Sequence, residues 1–426
     1  MKELWVQGIA RAAAGALAAL WIGVACDGDE RAKPGAARPT AAPADIEELE
    51  RLAALGYVSG SVAATSASGV TVHDRDRAAQ GFNLVVSGHA PGGTLMDMDG
   101  NLLHEWRVSI EQAWPEWENV ERFLKMNFFR RAHLFENGDL IGIWAGDAGI
   151  LKLDRDSNVI WANAIGAHHD FEVMPDGAIY VLTMLNHIVT RVHPRKPIRE
   201  DFITVLGPDG RVKRSVSVLE AFENSGPYRF LWILHPQKTG IVFHTNTINV
   251  LDGHIANEMP EFARGRVLIS MRAMDTIAVV DLDSAEVVWA HKGGFMGQHD
   301  PQVLADGSLL VFDNMDQHKS SSIEVYDPRD MSLRWVYRGT PEQPFYSEHS
   351  GAAQRLANGN TLITESVNGR AFEVTADGEI VWEYFNPNRT GHDGDLRAML
   401  YEVRRLPPDM DLSWLQAEKR KGLGIR

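Results

Sequence analysis

One short phrase recurs along the chain and limits what it can fold into. An aspartate in a turn is followed by a β-rich run and then, in all copies but one, by tryptophan. The copies are Asp99–Trp106, Asp156–Trp161, Asp209–Arg214, Asp283–Trp289, Asp330–Trp335 and Asp377–Trp382. Their last residues lie 55, 53, 75, 46 and 47 apart. A second phrase, a polar turn and a strand, interleaves at Asn137–Ile143, Asp176–Val181, Asp306–Val311 and Asn358–Ile363. More strand-like runs lie between, such as Gly149–Leu153 and Arg370–Val374. Four short strands per unit, repeating at about 40–50 residues, is the pattern of a β-propeller blade.

Five complete units run from about Arg130 to Tyr384. Three strands precede them (Phe82–Ser87, Thr94–Met98 and Leu102–Trp106) and one follows, near Met399–Leu406. Three plus one makes a sixth unit shared by both chain ends, which leaves the ring without an open edge. The expectation is an all-β, six-bladed β-propeller over residues 69–415, its last blade closed by both ends. Two insertions interrupt the repeat, at 110–129 and 219–264, and loops of this kind lie on a face of the disc. Their aromatics, including Trp114, Trp117, Tyr228, Phe230 and Trp232, fit either an aryl pocket or ordinary packing.

The N-terminus reads as a targeting segment, 1–26. Ala12–Ala25 is almost wholly apolar, short for a membrane span but right for the core of a signal peptide. Cys26, the one cysteine, follows Gly23-Val24-Ala25, where a bacterial lipoprotein carries its lipid. Gly23 stands where a large aliphatic residue is usual, so lipidation at Cys26, plain secretion and a retained membrane anchor all stay open. Each implies an exported protein of the periplasm or cell envelope. A flexible linker covers 27–68 and holds a short amphipathic helix at 45–56, with Ile46, Leu49, Leu52 and Leu55 three apart. Residues 416–426 form a basic tail. A single cysteine excludes an intramolecular disulfide and a multi-cysteine metal site. With 42 Lys+Arg against 57 Asp+Glu, a formal charge of −15, the chain lacks a global basic footprint for nucleic acid.

The first strand of each propeller blade lines the central channel, and here its starts carry histidines. His169-Asp and His299-Asp both stand eight residues before a turn glycine, Gly177 and Gly307. His244 stands nine before Gly253, in a segment one residue longer, and His349 ten before Gly359, two positions earlier and so on the same strand face. Arg130 holds the matching offset before Gly138, where His133 turns to the other face. Symmetry brings these positions to one end of the channel. Arg272, at the end of an apolar strand in the blade that His244 begins, joins them. A lone histidine is ordinarily structural, but such a set beside an arginine reads as a site for a tetrahedral oxyanion. A metal site would want a carboxylate or thiolate and would be repelled by Arg272. Acid–base chemistry alone would not need the arginine. Covalent catalysis, with one histidine as nucleophile and the rest holding the transferred group, uses every part.

Several segments, in order, resemble the bacterial arylsulfate sulfotransferase family: Gly81–Ala90 with Met96–Trp106, His168-His-Asp170, His244-Thr-Asn-Thr-Ile248, Ser270-Met-Arg272, Gln298-His-Asp300 with Phe312-Asp-Asn314, and Ala353–Leu362. The resemblance spans Gly69 to about Trp414. It implies a six-bladed propeller that moves a sulfuryl group from a small aromatic sulfate donor to a phenolic acceptor, in ping-pong fashion. It implies no cofactor and no nucleotide sulfate donor, and the chain has no Gly-x-x-x-x-Gly-Lys loop. By the same resemblance His299 is the nucleophile, His244 and Arg272 bind the sulfuryl oxygens, and His169 is an oxygen ligand or proton donor. His349, His168, Asn246 and Asn314 are expected to support substrate binding. The short span from Arg272 to Gln298 suggests that the loop covering the site in typical members is trimmed. Two alternatives stay open: a related sulfate or phosphate ester hydrolase, and a non-catalytic ligand-binding or scaffold propeller on the cell surface.

Overall fold

The computed structural model describes residues 60–415, apart from 61, 119, 121–125 and 316–319. The targeting segment with Cys26, most of the linker, its helix at 45–56 and the tail lie outside the described residues. The fold is all-β. Among the described residues helices are few and short: α1 (Ile110–Ala113), α2 (Val218–Asn224) and α3 (Arg229–Ile233).

The strands form antiparallel meanders, as short β-branched and aromatic runs between turn glycines dictate. Six strands each open such a sheet: β1 (Phe129–Leu134), β2 (Ala167–Val173), β3 (Thr245–Val250), β4 (His299–Val303), β5 (Ala352–Arg355) and β6 (Leu400–Leu406). Each packs against the next, and β6 packs against β1, so the six close a cycle. The sheet of β6 continues with Phe82–Ser87, Gly92–Met96 and Leu102–Arg107, which joins the two chain ends as the strand count anticipates.

The recurrent tryptophan has a physical role in this cycle. The Trp106 indole N–H donates to the Gly138 carbonyl of the next sheet at 3.1 Å, and Trp161 does the same to Pro208 at 3.2 Å. Trp335 donates to Ala376 at 2.8 Å, and Trp382 returns to Met98 in the sheet that closes the cycle at 2.9 Å. Each bond adds about 1 kcal/mol to the burial of a large ring. Arg214, the odd copy, reaches the next sheet differently, through Asp283 at 2.7 Å.

Two local features differ from expectation, and a third decides an open choice. Gly69–His73 adds a fifth strand beside Ile380–Phe385. Val62–Ala63 pairs with Leu396–Arg397, so the stretch read as linker up to 68 is tied down from Val62 onward. Its strand is two residues long with a partner more than 300 positions away, which leaves no periodic signal to read. In the first insertion, α1 starts with a Ser109–Gln112 capping box, and Trp114 is buried in core packing against Trp144 and Trp117. For Trp114, packing and not a pocket is the outcome.

Candidate active site

The starts of the inner strands share an unusual backbone. His169, His244, Asp300 and Ser350 all have positive φ, at 56°, 53°, 53° and 60°. Non-glycine residues adopt this region at a cost of order 1–3 kcal/mol, and such strain gathers where geometry serves function. The strand register also slips there, between Ala167 and Phe171, Thr245 and Thr247, and His299 and Gln302. A bulge at a strand start re-aims side chains, and here it sends the histidines toward one end of the ring.

His169 Nε2 lies 3.2 Å from His244 Nε2, and His169 Nδ1 lies 2.8 Å from His168 Nδ1. His299 is buried, with Nδ1 at 2.6 Å from Asn314 Oδ1 and 3.0 Å from the Gly297 carbonyl oxygen. Its neighbour Gln298 is fully buried and donates to Ser270, Met271 and Thr276, which fixes the Gln-His segment to the adjoining sheet. Arg272 sits in a turn held by its own N–H to the His244 carbonyl at 3.1 Å. Its buried Nε has no hydrogen-bond partner, and neither does the buried His349 Nε2. Gly297, at φ 64°, passes so close that an added Cβ would sit 3.7 Å from Arg272 Nε and 2.7 Å from Met315.

Electrostatics ties these groups together. Burial, then Arg272, pushes His299 down to about 3. Burial followed by Arg130 lowers His169, and burial followed by Arg272 lowers His244, both well below the usual range. His349 is lowered by burial, Arg130 and Arg272. The site therefore presents neutral imidazoles beside guanidinium groups, suited to an oxyanion. Among the described residues no group of three or more His, Cys, Asp or Glu is arranged to hold a metal ion.

His169, His244, His299, Arg272 and His349 thus come together as the spacing anticipates. His168, Asn246 and Asn314 are buried and engaged with protein groups. His168 is buried behind His169, with Asp201 at 3.7 Å, too far for a hydrogen bond. The buried Asn246 donates to the Gln298 carbonyl at 2.8 Å. Asn314 is fully buried, and its amide nitrogen donates to the Ser347 and Ser350 carbonyls. All three buttress the site. Their motifs specify residue type but carry no signal of depth.

Arg130 belongs to the site as well, with its guanidinium carbon 5.2 Å from the Tyr401 ring centre and Nη2 3.4 Å from Ser350 Oγ. Beneath the cluster lies a brace that the sequence reading did not contain. Arg131 donates to Asp170 at 2.7 Å, to Asp300 at 2.8 Å and to Glu402 at 2.8 Å, joining β1 to β2, β4 and β6. The second letter of each His-Asp pair is thus a strut. A cavity of about 210 Å³ on the inner strands is lined by these four residues and by none of His169, His244 and His299.

The depressed histidines make stability depend on pH. His299 falls to about 3, and burial pushes His89 and His133 to about 4. The unfolded chain binds these protons below about pH 6.5, whereas the folded chain does not. Their contribution is fully present above that pH and is lost on acidification. Denaturant midpoints measured from pH 7 to pH 4 should fall steadily, with net proton uptake on unfolding. A flat profile would contradict buried neutral histidines.

A protein-family model described as arylsulfotransferase (ASST) matches residues 131–387, more than half of the chain. No curated protein matches. Among solved structures, a protein of unknown function from Bacteroides caccae is similar at 12% identity, covering 76% of this chain and 98% of that one, with a TM-score of 0.49. A streptogramin B lyase is similar at 14% identity, with 82% and 97% covered and a TM-score of 0.43. The WD40 β-propeller domain of Doa1 is similar at 10% identity, with 77% and 96% covered and a TM-score of 0.39. Likenesses this remote carry no information on chemistry.

Proposed function

The chain belongs to the arylsulfotransferase (ASST) family, and from that premise we propose that it transfers a sulfuryl group from an aryl sulfate to a phenol through a sulfo-histidine on His299. The observation that carries this reading is the meeting of a buried, neutral His299 with Arg272, His244 and His169 at one end of the inner strands. The six cyclically packed sheets support reading the fold as a six-bladed propeller. Export to the cell envelope, with Cys26 as the lipid site of a lipoprotein, rests on residues 1–26 alone.

An aryl sulfate is a monoanion and resists an anionic nucleophile. A neutral imidazole meets no such repulsion. Its lone pair forms the N–S bond as the aryl S–O bond breaks, and the phenol, of pKa about 10, leaves as phenolate. Arg272, with its Nε unpaired in the free site, offsets charge on the sulfuryl oxygens, as cations do in phosphoryl transfer. The acceptor oxygen then takes the sulfuryl group, the N–S bond breaks, and His299 is restored. Overall, one proton passes from the acceptor phenol to the departed phenolate.

The test is release of nitrophenol from p-nitrophenyl sulfate, with and without added phenol. Phenol-dependent release with parallel double-reciprocal plots is the expected result. Release indifferent to phenol would mean a hydrolase, and no release would leave a binding protein. Arg272→Ala should lower kcat/KM about 10²–10³-fold, the cost of one preorganised oxyanion partner. Arg272→Lys should recover only part of it, because an ammonium cannot present the planar fork. Full activity in Arg272→Ala would remove the oxyanion role.

A further inference from the structure

The surroundings of His299 fix more than its position. Nδ1 faces two oxygens, Asn314 Oδ1 at 2.6 Å and the Gly297 carbonyl at 3.0 Å. A carbonyl oxygen can only accept, so Nδ1 must carry the ring proton. The orientation of Asn314 is equally determined. Its amide nitrogen has two carbonyl acceptors, Ser347 at 2.9 Å and Ser350 at 2.8 Å, so its oxygen has to face the imidazole. Ser321 Oγ donates to the Asn314 backbone carbonyl at 2.8 Å, and Ser347 Oγ is bonded to the Ser350 carbonyl at 3.0 Å. The asparagine is held at every polar atom named here and is fully buried.

We propose that Asn314 is the positioning residue of the nucleophile: its side-chain carbonyl holds the Nδ1–H tautomer of His299 and so leaves the Nε2 lone pair to attack sulfur. The proposal deepens the sulfo-histidine reading and rests on it. As the N–S bond forms at Nε2, the ring becomes a sulfo-imidazolium and its Nδ1–H grows more acidic. The hydrogen bond to Asn314 strengthens at that moment, so it stabilises the intermediate more than the resting enzyme. An asparagine here does what a carboxylate would do for orientation, but it adds no charge. His299 therefore stays neutral, as burial and Arg272 require.

The experiment combines histidine-selective ¹⁵N NMR of the whole chain with kinetics of Asn314→Ala and Asn314→Asp. The wild-type protein should show His299 protonated at Nδ1 and bare at Nε2 across neutral pH. Asn314→Ala should shift tautomer population toward Nε2–H and lower kcat roughly 10–100-fold, with KM for p-nitrophenyl sulfate changed less than about threefold. Asn314→Asp places a carboxylate on Nδ1, so the titration of His299 should move up from about 3 and carry the acid limb of kcat/KM with it. A merely structural asparagine would leave the His299 tautomer unchanged in Asn314→Ala. An Nε2–H tautomer in the wild type, unchanged kcat in Asn314→Ala, or an unmoved limb in Asn314→Asp would each overturn the assignment. If Asn314→Ala fails to fold, the wild-type tautomer decides, because Asn314→Asp sets a carboxylate oxygen against the Ser347 and Ser350 carbonyls. Persistent transfer in His299→Ala would instead sink the nucleophile reading, and the NMR tautomer would still judge Asn314.

Discussion

Replacing His299 by alanine should abolish phenol-dependent release of nitrophenol, with a loss of at least about 10⁴-fold in kcat. The two histidines that would bind the sulfuryl group are already engaged with each other. His169 and His244 face each other through their Nε2 atoms, and His169 Nδ1 is engaged with His168. Burial also holds each well below the usual imidazole range, so each is a poor base for direct attack by an acceptor phenol. The oxyanion partners would remain in the variant, since Arg272 is anchored through its backbone to His244 and not through His299. Aryl sulfate binding should therefore survive while transfer is lost, a kcat effect with little change in affinity. Donor added without acceptor should leave the wild-type chain heavier by one sulfuryl group, stable to base and labile to acid. The variant should stay unmodified. Retention of phenol-dependent release by His299→Ala would end the sulfo-histidine mechanism and return the site to direct transfer.

The histidines were legible because a strand alternates faces. Counting back from the turn glycines places His169, His244, His299 and His349 at comparable points; His299 lowers His169 and His244, and His349 shares the influence of Arg130 and Arg272 with His244 and His299. The same parity put Arg131 on the opposite face from Arg130, so nothing marked it as central. Its three partners come from β2, β4 and β6, positions 39, 169 and 271 residues away, and no local pattern encodes such a meeting. The aspartates of the His-Asp pairs were visible, but their role appears only once the strands face a common axis. The motif around Asn314 points to a substrate ligand because it carries chemistry without depth. Burial puts it behind His299. The tryptophan phrase shows the converse. Its period gave the unit, and the carbonyls that Trp106, Trp161, Trp335 and Trp382 reach show why the residue recurs.

Removal of the Arg131 side chain should be the most damaging single change to stability, at roughly 3–5 kcal/mol, because it strips the partner from buried carboxylates. Arg131 donates one hydrogen bond to each of Asp170, Asp300 and Glu402, and all four side chains are largely sealed from water. These carboxylates raise the guanidinium well above its ordinary value, against the opposing effect of burial. Glu402 is already pushed up by its own burial, which Arg131 offsets. In Arg131→Ala, Asp170 and Asp300 lose their shared guanidinium and Glu402 keeps only Arg404 at 3.7 Å, so Glu402, already pushed up by burial, rises further. The penalty is then largest at neutral pH and eases as the acids protonate below about pH 5. The variant's deficit relative to wild type should thus shrink on acidification, even though the wild type itself loses stability there through its histidines. Arg131→Lys should rescue only part, since one ammonium cannot span three strands as a guanidinium does. Denaturant midpoints for the three proteins at pH 5 and pH 8 measure this directly, and a deficit that is small or independent of pH would show that the brace is dispensable. Asp170 and Asp300 follow His169 and His299 in the chain. Folded Arg131→Lys should therefore lose transfer activity out of proportion to its stability, because the struts that aim both histidines would no longer share one anchor.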